Sequence, residues 1–227
     1  MNPAPEAPSA VPSDAPSDAR SDSGDDTRAD NLKRRQILDG ARDCFLASGF
    51  DAASMGQIAR AAKVSKGTLY VYFDSKEALF KALIIEQKRE TAERTMPTLE
   101  DTEGPLAEVL ITFASGLMRA LTHPDHIALL RLVIGASERF PEIGRQLYEA
   151  GPDHGARRLA RFLAERQARG ELAAGDMDTA AWQFGALCQH PVVTRSILAG
   201  HPSPGEEEAL SRAREIVATF LAAYAPR

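Results

Sequence analysis

The sequence predicts an all-α protein with a small N-terminal helical unit and a larger helical body behind it. Three observations carry this. From Asn31 onward every long segment repeats its apolar residues at helical spacing. Sustained two-residue alternation and Asn-Gly hairpin signals are both missing. Pro and Gly fall between the periodic segments, where helices start and stop.

Residues 1–30 stand apart. They hold five prolines, no aromatic residue, and 7 acidic against 2 basic side chains. Such a segment cannot bury enough apolar surface to offset the entropy of ordering, so a disordered acidic tail is expected there. The first helix is expected over 31–48, with Leu32, Ile37, Leu38, Ala41, Phe45 and Leu46 as its apolar stripe and Cys44 on the same side. Gly49 suits the left-handed position that ends it. Ser54 with Gln57 fits a capping box, in which each side chain satisfies an orphan amide of the helix start. Ile58, Ala59 and Ala62 then point inward. A tight turn at Ala62-Lys63-Val64 leads to Ser65, which caps a helix over 66–73. Asp74-Ser75 caps a long helix over 75–95, with Glu77 in its first turn, where the helix dipole favours an anion. Met96-Pro97 stops that helix. Further helices are expected near 105–122, 125–138, 140–149, 152–170, 176–199 and 206–224. Pro105, Pro124, Pro141 and Pro152 fit first-turn positions, and Gly170, Gly200 and Gly205 mark ends.

Composition narrows the function classes. The chain is 44% hydrophobic, enough to build a core. Its net charge of -5 argues on average against a polyanion partner. The distribution reverses that reading, because residues 31–96 hold 12 basic and 8 acidic side chains and all six lysines. A polyanion would be drawn to one end of the molecule. Two distant cysteines, Cys44 and Cys188, form no CxxC pair, and no run approaches 18 apolar residues. A soluble cytoplasmic protein, with no membrane partner, is the expectation.

Ser54 to Lys76, SMGQIARAAKVSKGTLYVYFDSK, carries the function. Two short helices joined by a tight turn are the helix-turn-helix layout. In the second helix Leu69 and Phe73 share one face. Turning them inward places Gly67 and Val71 outward, with Thr68 and Tyr70 flanking and Lys66 in the first turn. Recognition helices read base edges with their N-terminal residues, so this orientation is productive for double-stranded DNA. Gly67 lets backbone approach closely, and Thr68 and Tyr70 can hydrogen-bond phosphate. Lys76 and the amides beside it can anchor another phosphate.

Residues 31–80 resemble the DNA-binding domain of the tetracycline-repressor (TetR) family. The matching positions are Ile37-Leu38, Ala41, Phe45, Gly49-Phe50, Ile58-Ala59, Val64-Ser65, Gly67-Thr68-Leu69-Tyr70, Tyr72-Phe73 and Lys76-Glu77-Ala78-Leu79. The resemblance implies DNA contacts at Ser54, Lys66, Gly67, Thr68, Tyr70, Tyr72 and Lys76. For Tyr72 the helical angle leaves DNA contact and packing both open. Two positions depart from the pattern. Lys63 stands where the family usually has Gly, at a cost of about 1 kcal/mol if the backbone there is left-handed. Gly56 stands where a polar residue is common, loosening the helix by about 1 kcal/mol.

Residues 129–191 resemble the C-terminal domain of the AefR-like subgroup, through Leu130-Arg131-Leu132-Val133-Ile134, Glu138-Arg139-Phe140-Pro141-Glu142 and Leu147-Tyr148-Glu149-Ala150-Gly151-Pro152. Together the resemblances imply a domain order of tail (1–30), helix-turn-helix (31–80) and ligand-binding and dimerisation body (81–227). They imply a homodimeric repressor on a palindromic operator, released by a small-molecule inducer. Dimerisation would use the last two helices, which sequence alone places equally well inside one chain. Ordinary core is the default for Phe113, Leu117, Ile134, Phe162, Trp182 and Phe184, but some of them must line a cavity if a ligand pocket exists. Arg131, Gln183 and Gln189 are candidate polar anchors.

Other chemistries find little support. His123 and His126 straddle Pro124, and Cys188 and His190 sit two apart on a helix, pointing different ways. No carboxylate stands at metal-ligand spacing from either pair. A helical enzyme would need a nucleophile with its base, a Gly-rich phosphate loop or a metal motif, and the sequence offers none. No catalytic residue, metal or cofactor is expected. An interaction module that keeps the fold without binding DNA is the other alternative.

Overall fold

The computed structural model describes residues 22–95, Leu99 and 104–226. Among them every regular element is helical. They are α1 (Asp22–Ala52), α2 (Met55–Ala61), α3 (Lys66–Tyr72), α4 (Lys76–Thr95), α5 (Leu106–Leu121), α6 (Pro124–Ser137), α7 (Pro141–Tyr148), a π turn (Glu149–Asp153), α8 (His154–Ala168), α9 (Met177–Gln189), α10 (Val192–Ala199) and α11 (Glu206–Tyr224). None is long and apolar enough to cross a membrane.

The side chains sort into two cores. The first holds Ile37, Leu38, Ala41 and Phe45 of α1, Ile58 of α2, Leu69 of α3 and Leu79, Phe80, Leu83 and Ile84 of α4. A chain of rings binds it: Phe80 lies 5.0 Å from Phe45 and 4.9 Å from Phe50, and Phe50 lies 5.0 Å from Phe140. Each fully buried Phe or Leu contributes roughly 1.5–3 kcal/mol. This core does not stop at α4. Leu129, Val133 and Ala136 of α6 and Ile143 and Leu147 of α7 belong to it, and Arg139 pairs with Asp51 at 3.3 Å. The second core is built from α5, α8, α9 and α11, with α5 packed along α11 and α8 along α9.

Several boundaries differ from expectation. Helix α1 begins at Asp22, so the last nine residues of the expected tail are helical; residues 1–21 lie outside the described residues. Extending an existing helix costs far less than nucleating one, and the Tyr72 hydroxyl holds the added turn by hydrogen-bonding Asp30. The apolar stripe is narrower than expected, for Leu32 and Leu46 are exposed. Gly49 takes φ 77°, ψ 167°, a region essentially reserved for glycine, and bends the chain at the end of α1. The expected stop at Met96-Pro97 lies outside the described residues.

Pro124 and Pro141 open their helices as expected. Pro152 does not. It sits inside the π turn that joins α7 to α8 without a loop. Proline cannot donate to the ladder and its ring crowds the carbonyl four residues back, so the wider turn accommodates it. The expected helix 176–199 is divided into α9 and α10 for the same reason, at Pro191. Gly205 precedes α11 rather than ending a helix.

Candidate nucleic-acid interface and effector cavity

Helices α2 and α3 are set by local hydrogen bonds. Ser54 accepts from the Gln57 amide at 3.3 Å, while the Ser54 amide donates to the Gln57 side chain at 2.9 Å. Ser65 Oγ accepts from the Thr68 amide at 3.0 Å and shares a 2.8 Å hydrogen bond with Thr68 Oγ1. Lys63 has φ 55°, so a non-glycine residue occupies the left-handed turn. The α1–α2 crossing is very close. A Cβ on Gly40 would lie 2.4 Å from the Ala62 amide nitrogen, so only glycine fits.

Leu69 and Phe73 are buried, and the opposite face of α3 is open. Val71 is 82% exposed and Tyr70 49%; Lys66 and Gly67 are exposed, and Thr68 is half-buried. The exposed Ser54, with Met55, Gly56, Arg60, Lys66 and Tyr70, lines a groove between α2 and α3. Lys66 crosses Gly56, where a Cβ would sit 3.0 Å from Lys66 Cε. The small residue in α2 thus makes room for the lysine of α3. Sequence reasoning missed Arg60, although its solvent-facing position in α2 was available.

Two predicted contacts are engaged within the chain. The Tyr72 hydroxyl donates to Asp30 at 2.6 Å, which raises its pKa. Lys76 Nζ donates to the carbonyls of Phe50 and Asp51 at 2.8 and 3.1 Å and lies 4.6 Å from the Phe50 ring centroid. Two of its three protons therefore tie α4 to the end of α1, where a phosphate anchor was expected.

A cavity of about 220 Å³ opens between α4, α5, α6, the π turn, α8 and α9. Of the predicted ligand residues, Phe113, Leu117, Trp182 and Gln189 line it. The others go elsewhere. Arg131 caps α10 through the carbonyls of Ser196 and Ile197. Ile134 is exposed, and Phe162 lies under the Arg166 guanidinium, 5.1 Å from ring centroid to charge. Gln183 accepts from the Tyr224 hydroxyl at 2.6 Å. Phe184 is wholly buried against Phe220. The reason is phase: residues two apart on a helix point about 200° from each other, so Trp182 and Phe184 cannot face one cavity.

The polar groups of the cavity were not foreseen. Lys88 of α4 reaches it beside Gly151 of the π turn, where a Cβ would lie 2.8 Å from Nζ. Burial lowers the Lys88 pKa to about 8. His126 is 4% exposed, and among the described residues its Nδ1 has no hydrogen-bond partner. Burial, then the charges of Lys88 and His123, press its pKa down to about 3. At the rim the Trp182 ring stacks with Tyr148 at 6.2 Å. Among the described residues no His, Cys, Asp and Glu cluster could hold a metal. Cys188 is buried, which pushes its thiol up to about 12 and leaves it unreactive.

The fold and the outward face of α3 define a helix-turn-helix protein. Comparison with known proteins narrows this. Residues 37–83 match the model for bacterial regulatory proteins of the tetR family, and residues 108–226 match that for the C-terminal domain of AefR-like transcriptional repressors. The HTH-type transcriptional repressor Rv1474c of Mycobacterium tuberculosis is 37% identical over 64% of this chain and 63% of its own length, so the match spans just under two thirds of that relative. The solved structure of the flavonoid-responsive regulator FrrA is 35% identical, with a TM-score of 0.73, over 87% of this chain and 99% of that one. A TetR-family regulator from Mesorhizobium loti gives a TM-score of 0.74 at 28% identity, over 86% and 98%. The chain belongs to the TetR family of bacterial transcriptional regulators.

Proposed function

We propose that the protein is a homodimeric repressor that holds a palindromic operator and releases it when a small molecule enters the cavity. The observation that carries this reading is the double duty of α4. Its Leu79, Phe80, Leu83 and Ile84 belong to the core that supports α2 and α3, while its Lys88 and Thr91 line the cavity. A ligand that shifts α4 therefore shifts the reading head.

DNA contact is assigned to Lys66, Gly67, Thr68 and Tyr70, with Ser54 and Arg60 at the groove edge. Tyr72 and Lys76 act mainly as positioning residues for α1, α3 and α4. Ligand contact is assigned to Phe113, Leu117, Trp182 and Gln189. Helices α9 and α11 supply the dimer face, and the two recognition helices then enter successive major grooves about 34–36 Å apart. A differential ligand affinity of about 1–3 kcal/mol between the two head spacings is enough for regulation.

The test is a mobility-shift assay with the intergenic DNA upstream of the gene. Lys66→Ala combined with Tyr70→Ala is expected to abolish the shift, and binding should weaken steeply with salt. An unchanged shift in the double variant overturns the site assignment. A flat salt response overturns the phosphate contacts.

A further inference from the structure

We propose that the effector is a small amphipathic anion, an apolar body bearing one carboxylate that lodges between Lys88 and His126. This deepens the reading of the cavity given above and rests on it.

The walls set the body of the ligand. Phe113, Leu117, Leu121, Leu130, Leu147 and Trp182 present apolar surface. A cavity of about 150 Å³ accepts benzene, so 220 Å³ takes one substituted ring or a short alkyl chain and little more. A bulky or heavily hydroxylated molecule would leave polar groups against these walls, at a cost.

The charges set its head. Among the described residues the titratable groups lining the cavity are Lys88 from α4, His126 from α6 and His154 from α8, and no carboxylate is among them. His123 stands close enough to His126 to act on it electrostatically. In the π turn Glu149 is exposed, and Asp153 is paired with Arg157. Among the described residues the Lys88 ammonium makes no hydrogen bond or ion pair. A partly buried ammonium and, near it, a fully buried imidazole nitrogen are thus both without a hydrogen-bond partner among the described residues. A carboxylate satisfies both, accepting from the ammonium and from an imidazole N–H. Gly151 belongs to the same device, since any side chain there would displace the end of Lys88.

Trp182 is the single tryptophan of the chain and lines the cavity, so its fluorescence reports occupancy. The full chain is titrated with two matched pairs, phenylacetate against phenylacetamide and octanoate against octanamide. The carboxylate of a pair is expected to bind at least about tenfold more tightly than its amide. In Lys88→Met, which replaces the charge by an apolar chain of similar length, that preference should disappear while amide binding persists. Circular dichroism verifies the fold of the variant. Gly151→Ala is a second variant, expected to weaken carboxylates more than amides.

Amides that bind as well as the acids overturn the anion and leave the cavity as an effector site. A preference that survives Lys88→Met overturns the assigned partner. If no member of either pair binds, the proposal fails, while operator binding in the mobility-shift assay stands or falls separately.

Discussion

The Tyr72 hydroxyl donates a 2.6 Å hydrogen bond to the Asp30 carboxylate, joining the last residue of α3 to the exposed N-terminal part of α1. The bond places an acidic group beside the face assigned to DNA and occupies a tyrosine proton that could serve a phosphate. Asp30→Ala removes the charge and frees the hydroxyl. DNA affinity should rise a few-fold at low salt, by about 0.5–1 kcal/mol, and the gain should shrink at high salt. Weaker binding in a mobility-shift titration would show that the tie orients α3 instead.

Gly56 and Lys66 make a second test. Gly56→Ala improves the helix propensity of α2 by up to about 1 kcal/mol. The new Cβ meets Lys66 Cε at 3.0 Å and pushes the ammonium aside. Thermal stability should increase while DNA affinity decreases. A parallel change in both quantities would mean that Lys66 does not contact DNA from its present position.

Lys63 carries the left-handed turn at φ 55°. Lys63→Gly relieves that strain and should stabilise the protein by up to about 1 kcal/mol, less the extra freedom glycine gives the unfolded chain. Calorimetric melting measures this directly. A loss of DNA affinity accompanying the stabilisation would identify the Lys63 ammonium as a phosphate ligand.

Lys88 gives a pH signature. Its pKa falls from 10.5 to about 8 in the folded chain. Between those values the unfolded state binds more protons, so stability rises with pH across that window. Below about 8 both states are charged and the burial penalty is present in full, at most about 3 kcal/mol. Lys88→Met should therefore raise the melting temperature below pH 8 and flatten the rise above it. His126 acts the same way at acid pH. Its folded pKa of about 3 lies below the ordinary 6.5, so stability is lost as pH falls through 6.5. Melting curves from pH 4 to pH 10 test both, and a Lys88→Met profile parallel to the native one would exclude the burial penalty.

The fold was readable where periodicity and capping agree. α11 spans Glu206–Tyr224 as its spacing predicts, and Ser54, Ser65 and Ser75 each cap the helix assigned to them. The outward face of α3 followed from one inference, that Leu69 and Phe73 point inward. The cavity was harder. Periodicity tells buried from exposed, yet it does not separate a side chain facing a void from one facing another side chain. Phe184 and Trp182 look alike in sequence and part company in space. Lys88 was obscured by its setting, because a lysine in the basic half of the chain reads as part of the DNA-facing charge. Only the packing of α4 against the π turn places it in the cavity.

Apart from Gly151, the π turn at Glu149–Asp153 makes this part of the chain sensitive to length. It holds α7 and α8 in a fixed rotational setting, with Leu147 buried before it and Leu159 after it. Removing one residue would turn α8 by about 100° about its axis. Leu159 and Leu163 would then swing out of the second core, and the cavity would lose a wall. Substitutions at the exposed Glu149 are tolerable, whereas a single-codon deletion there should be as damaging as the loss of a core residue.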